Sequence, residues 1–258
     1  MELFGEGISV GELAVVAVAA CFAGFLRGFL GFGGALVIIL VLNVMLGPLS
    51  ALPIACLSGM PSTLQLLPVA VRLSERAFVL PFGLSSFVAA PLGTWVLVSV
   101  DPALMKIVIS ALVLVLVALL YRGWQFATGS GMPALLIAGS LTGLVQSSAG
   151  VGGPPAIAMA LSRPGTPEQQ RANVIGVVTA LSLCALVPMW YSGLFTARVI
   201  VLSLAIVPIY TTMTWFGARY FSTGGTKHYR NSALIFLAVV GLVTLAIALR
   251  GYLAEAGG

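Results

Sequence analysis

Apolar residues run almost without interruption through long parts of this chain. No Asp, Glu, Lys or Arg occurs from Gly28 to Val71 or from Gly123 to Ser162. At about 20 residues per bilayer crossing, each stretch enters an apolar phase more than once. Reading the runs between charges, glycines and prolines predicts ten helical segments. The first five are Gly11 to Leu30, Ala35 to Met45, Ala51 to Val71, Ala77 to Val98 and Leu104 to Tyr121. The second five are Met132 to Ala149, Pro154 to Leu161, Ala172 to Trp190, Val199 to Ala218 and Ser232 to Leu249. Ala35 to Met45 and Pro154 to Leu161 are too short to cross alone at ~1.5 Å per residue. Each of them directly follows a glycine cluster.

Those clusters superpose when the second half is shifted by 119 residues, the difference between 150 and 31. Gly31-Phe-Gly33-Gly34 then falls on Gly150-Val-Gly152-Gly153. Upstream, Ala20, Gly24 and Gly28 fall on Gly139, Gly143 and Ser147, a small residue at every fourth position in both copies. The joint match of small-residue stripe, glycine turn, short segment and three longer segments argues for duplication. The expected units are residues 1–125 and 126–258, two transmembrane repeats within one integral membrane domain.

Composition agrees: of 258 residues 60% are hydrophobic and 7% charged, with a mean hydropathy of +1.13. A soluble domain carries about 25% charged residues. The net charge of +5 is scattered between apolar runs, which points to a topological role and not to nucleic acid. With the N-terminus outside, inward connections hold Arg72, Arg76, Arg122, Arg163, Arg171, Arg219, Lys227 and Arg230, and outward ones only Lys106, Arg198 and Arg250. An odd number of segments per half then inserts the halves in opposite orientations. The expected fold is an all-α polytopic membrane protein of two inverted repeats, about five segments each, whose glycine-broken or re-entrant hairpins meet near the midplane. Cys21, Cys56 and Cys184 lie inside apolar runs without metal or redox spacing and read as buried thiols. Glu2, Glu6 and Glu12 give the first run the wrong charge for a cleaved signal peptide.

The stripe residues are expected to pack helix on helix. The glycine turns carry the chemistry, because a G-x-G-G segment takes left-handed dihedrals and exposes successive amide N–H groups. The short helices behind them add free N-terminal N–H groups and a positive dipole end. Neither cluster has a nucleotide-binding spacing. Substrate-binding candidates are therefore Gly31, Gly33, Gly34, Gly150, Gly152 and Gly153, joined by Arg27, Gln146, Ser147, Ser148 and Asn173. Arg27 is the one charge between Glu12 and Arg72, and intramembrane charge marks function or a snorkelling side chain. Gln146 holds its place in the second copy. Asn43, Thr63, Gln65, Thr179 and Ser182 are further polar positions without an assigned role. His228 reads as a surface residue, and Trp95, Trp124, Trp190 and Trp215 as interfacial anchors.

The pairing of Gly24-Phe-Leu-Arg-Gly-Phe-Leu-Gly-Phe-Gly-Gly34 with Gly143-Leu-Val-Gln-Ser-Ser-Ala-Gly-Val-Gly-Gly-Pro-Pro155 resembles the sulfite exporter TauE/SafE family, also called toluenesulfonate uptake permeases. The resemblance covers essentially the whole chain. It implies an inner-membrane transporter, with export the expected direction, for sulfite, organosulfonates and related small anions; the residues themselves offer no paired acid, metal cluster or nucleophile beside a base, so no enzyme activity, cofactor or metal is expected. It implies as partners the anion and the lipid bilayer, with no nucleic acid and with a homodimer left open. Members often carry a third glycine after the first turn and a proline soon after it. Here Ala35 follows and the next proline is Pro48, so the first half-helix is expected to be less broken than the second. All seven acidic residues fall in termini, connections or first residues of segments, which argues against a buried proton relay. An anion channel, and uptake in place of export, are the competing readings.

Overall fold

The computed structural model describes residues 10–100, 131–150 and 152–223, with Ile235 beyond them. The described residues form eight helices: α1 Val10–Leu30, α2 Gly34–Leu46, α3 Pro48–Leu73, α4 Arg76–Ser99, α5 Met132–Ala149, α6 Gly153–Ser162, α7 Pro167–Tyr191 and α8 Ala197–Thr223. Five of them, α3, α4, α5, α7 and α8, are long and apolar enough to cross a membrane. The segments at Leu104 to Tyr121 and Ser232 to Leu249, apart from Ile235, together with Trp124 and His228, lie outside the described residues.

Several helices start earlier than the apolar runs. Pro48 and Pro167 sit in the first turns of α3 and α7, where a missing N–H costs nothing. At α7 the Thr166 side chain also accepts from the amide of Gln169 at 3.3 Å, so the polar turn Glu168-Gln-Gln-Arg171 belongs to the helix. The glycine turns do break the chain. Gly31 and Gly33 have φ of 85° and 89°, and Gly150 has 73°. With two left-handed glycines the first turn is at least as interrupted as the second, contrary to the expectation drawn from Ala35. Physically, Gly31 and Gly33 alone suffice for the reversal, and no proline is needed.

Element boundaries recur at a fixed offset. α5 ends at 149 against 30 for α1, α6 starts at 153 against 34 for α2, and α7 starts at 167 against 48 for α3, each a separation of 119. α8 ends at 223 against 99 for α4, a separation of 124: the connection Ser192–Thr196 is three residues longer than Ser74–Glu75, α8 is three residues longer than α4, and α7 is one shorter than α3. Packing repeats in the same register. A Cβ on Gly24 would strike the carbonyl oxygen of Tyr210, and one on Gly143 that of Ser86. Likewise Gly217 lies on the carbonyl of Phe25, and Gly93 on that of Leu144. Each pair maps onto its counterpart by 119 on one helix and 124 on the other. α1 thus packs on α8, and α5 on α4. Small residues at these crossings let the backbones touch, which is how helices associate where lipid removes the hydrophobic drive.

α3 and α7 form the centre and run antiparallel. The Sγ of Cys56 lies 3.6 Å from the carbonyl oxygen of Ser182, Leu52 clusters with Ala185 and Met189, and Leu66 clusters with Ile175. α7 is the most deeply buried of the long helices. The outer faces are apolar: Leu80, Leu84, Val88, Leu92 and Trp95 form an exposed stripe along α4 at helical spacing, as a lipid-facing surface requires. Trp190 and Trp215 are exposed as well.

Candidate functional site

The two glycine turns stand on opposite sides of the Cys56–Ser182 level. A Cβ on Gly31 would meet Ile175, seven residues before Ser182, and one on Gly150 would meet Leu52, four residues before Cys56. At ~1.5 Å per residue the tips are about 16 Å apart along the α3–α7 pair. They overlap in depth and do not meet end to end. Between them lies a cavity of about 50 Å³, bordered by Gly33 on one turn and Gly150 on the other. By the ~10–15 Å³ that one water needs on this measure, it holds about four waters, the scale of a small oxyanion.

One helical turn back from each tip, and so nearer the centre, are Arg27 and Gln146, both lining the cavity. Each is fastened to its own turn. Arg27 donates Nη1 to the carbonyl of Gly31 at 2.8 Å and Nη2 to Oγ1 of Thr63 at 3.0 Å. Gln146 accepts from the amide of Gly152 through Oε1 at 3.1 Å, which leaves its NH₂ as the group with donors to spare. Arg27 is only 4% exposed, and no carboxylate lies among the cavity's described residues. Burying a cation without an opposite charge is expensive and is retained where something negative visits.

Most of the remaining lining comes from α3 and α7, where two pairs of positions are related by the 119-residue offset. Thr63 and Ser182 match at 119, as do Gly59 and Val178, and the hydroxyls donate back to those partners' carbonyls at 3.0 and 2.8 Å. Tyr210 of α8 closes one wall, its hydroxyl against Gly34 and Ser62. Toward the start of α3 and the end of α7 the wall turns apolar, with Leu52, Ala55, Ala185 and Met189.

Of the candidates from sequence, Arg27, Gly33, Gln146 and Gly150 border the cavity. Gly31 accepts from Arg27, Gly34 packs under Tyr210, and the Gly152 amide is taken by Gln146. Gly153 opens α6 beside Ile157. Ser147 is fully buried opposite Gly93 in the α4–α5 crossing, and Ser148 bonds back to Val145 at 3.4 Å. Asn173 stands apart, accepting from the amide of Glu75 at 2.7 Å and so capping α4. Tyr210 gave no signal in the sequence. Thr63 and Ser182 did, since the 119-residue offset pairs them.

Beyond the first turn, away from the apolar end of the cavity, arginines bridge the described helices. Arg171 donates Nε to the carbonyl of Phe29 at 3.1 Å and Nη2 to that of Gly28, and its guanidinium lies 4.2 Å from the ring centre of Phe221. Arg163 pairs with Glu75 through two hydrogen bonds, one of 2.8 Å, and stacks over Phe78. Arg72 and Arg76 flank Glu75, and Arg219 lies two residues from Phe221, so these cations share one end of the bundle while Arg198 begins α8 at the other.

No curated protein and no solved structure matches this chain. A family model does: that of the sulfite exporter TauE/SafE family, over residues 16–244, which takes in α1's apolar part, both glycine turns and the whole cavity. Two glycine-broken hairpins, a buried arginine between them and a match across most of the length place the chain in the sulfite exporter TauE/SafE family of membrane transporters.

Proposed function

We propose that the protein carries a small sulfur-containing anion, such as sulfite or an organosulfonate, outward across the inner membrane. The observation that carries this reading is the buried Arg27 guanidinium, without a carboxylate partner among the described residues, lining a cavity shared by both glycine turns. The anion sits beside Arg27 and the Gln146 amide, with backbone N–H groups of the first turn around it. In this reading the halves 1–125 and 126–258 are inverted repeats, and one rocks against the other around a fixed site.

The cation-rich end is the inner one by the positive-inside rule, with the N-terminus outside. The conformation described is then closed inward by Arg171 and the Glu75–Arg163 pair, with its cavity reaching toward the outer ends of α3 and α7. An interior-negative potential favours anion exit by ~2.3 kcal/mol per charge per 100 mV, so no proton relay is required. The test is flux from sulfite-loaded proteoliposomes with the potential clamped. Efflux is expected to follow the potential without a proton gradient. Strict dependence on a proton gradient would overturn the potential-driven reading, and unitary currents would replace the transporter by a channel.

A further inference from the structure

Arg27 and Gln146 occupy equivalent positions in the two halves, 119 residues apart, and both line the same cavity. The repeat that brings them together is symmetric in backbone: the amide of Gly31 bonds the carbonyl of Arg27 at 2.9 Å, and that of Gly150 bonds the carbonyl of Gln146 at 3.0 Å. It is asymmetric in charge. We infer that Gln146 is the specificity-determining residue that fixes the cargo as a monoanion, hydrogensulfite or a simple sulfonate, against dianions of the same size.

The inference rests on the anion site proposed above and deepens it. A buried site binds best when its own charge and the cargo's cancel, since any residue of net charge is held in a low dielectric. Among the described lining residues Arg27 supplies one positive charge, and the others, Gln146, Thr63, Ser182, Cys56 and Tyr210 among them, supply dipoles. Gln146 is oriented for this. Its Oε1 is engaged by the Gly152 amide, which leaves the NH₂ of this lining residue with donors to spare for an anion oxygen, and such a bond adds no charge. A second guanidinium at this position would be carried on an equivalent backbone. The apolar end formed by Leu52, Ala55 and Met189 gives a sulfonate's carbon substituent a place that a fourth charged oxygen lacks.

The experiment is equilibrium binding to detergent-purified full-length protein with three probes: methanesulfonate, a monoanion at every pH used; sulfate, a dianion; and sulfite, which gains a proton near neutrality. Wild type is expected to bind methanesulfonate at least ~10-fold tighter than sulfate. Sulfite affinity should rise as pH falls, approaching ~10-fold per unit on the dianion side, because only the protonated form is taken. Methanesulfonate affinity should stay flat over the same range, which controls for Arg27, Cys56 and Tyr210, the charged and titratable groups lining the cavity. Gln146→Arg should reverse the order of methanesulfonate and sulfate. Equal affinity for the two in wild type, with pH-independent sulfite binding, overturns the inference and leaves the anion site standing. A folded Gln146→Arg with unchanged preference overturns it too. Absence of binding by all three probes to wild type overturns the anion site itself. The pH series needs no variant, so it decides the matter even where Gln146→Arg does not fold.

Discussion

Replacing Arg27 by Gln makes the two halves alike at their equivalent positions and separates a binding role from a structural one. The guanidinium is buried and holds Gly31 O and Thr63 Oγ1 at 2.8 and 3.0 Å. A unit charge ~4 Å from an anion contributes up to about 4 kcal/mol at an effective dielectric of 20, and a charged hydrogen bond ~1.5–3 kcal/mol. The two overlap, so a loss of about 3 kcal/mol is expected, or roughly a hundredfold in affinity for methanesulfonate. Stability should behave differently. The variant forfeits two hydrogen bonds but also relieves the desolvation of a cation that has no carboxylate partner among the described residues, and these oppose each other. The net should stay within about 1 kcal/mol, a melting shift of ~2–4 °C for a chain of this size. Binding by calorimetry and unfolding by thermal scan on the same preparation read both. A variant that melts far lower yet binds the anion unchanged would show that Arg27 only fastens the first turn to α3, and the reasoning would fall.

Two further outcomes follow from the packing. Gly28→Ala drives a methyl into the carbonyl of Thr214, where backbone on both sides resists movement, and should cost ~1–3 kcal/mol by thermal scan. Gly59→Ala meets nothing within 4 Å and gains up to ~1 kcal/mol of helix propensity, while its methyl enters the cavity and weakens anion binding. Glu75→Gln opens the pair with Arg163, whose side chains are 29% and 31% exposed. Such a pair contributes ~0.2–1 kcal/mol, so the melting shift should be small and the closed population should fall up to about fivefold. Labelling of a cysteine placed at Phe78 should rise accordingly, and an unchanged labelling rate would deny the pair a part in the seal.

Much of the fold was legible because lipid imposes simple rules. Uninterrupted apolar runs fixed the long helices, and the 119-residue offset anticipated the ends of α1 and α5 and the starts of α2 and α6. Polar first turns hid the start of α7, since capping by Thr166 and Pro167 extends a helix beyond its apolar run. The offset of 124 between α4 and α8 was invisible for a different reason: it depends on which carbonyl each stripe glycine touches in the other half. At the site, Arg27 and Gln146 stood out as polar groups beside a glycine turn. Asn173 looked equivalent by position and does lie at the depth of the first turn, but it stands on a different face of α7 from Ile175, which meets that turn, and accepts from the Glu75 amide instead, where it caps α4. Tyr210 reaches the cavity only because α8 crosses α1 of the opposite half, a long-range event that no local pattern records.

The central claim is that one anion rests between the two turns, within reach of both Arg27 and Gln146. Crystals grown with selenite at mildly acid pH, with diffraction recorded at the selenium edge, test it most directly. A single anomalous peak is expected inside the cavity, placed so that oxygens accept from Arg27 at ~2.7–2.9 Å. Selenium bound instead at the Arg171 or Arg163 end, or an empty cavity in protein that still carries selenite across vesicles, would contradict it.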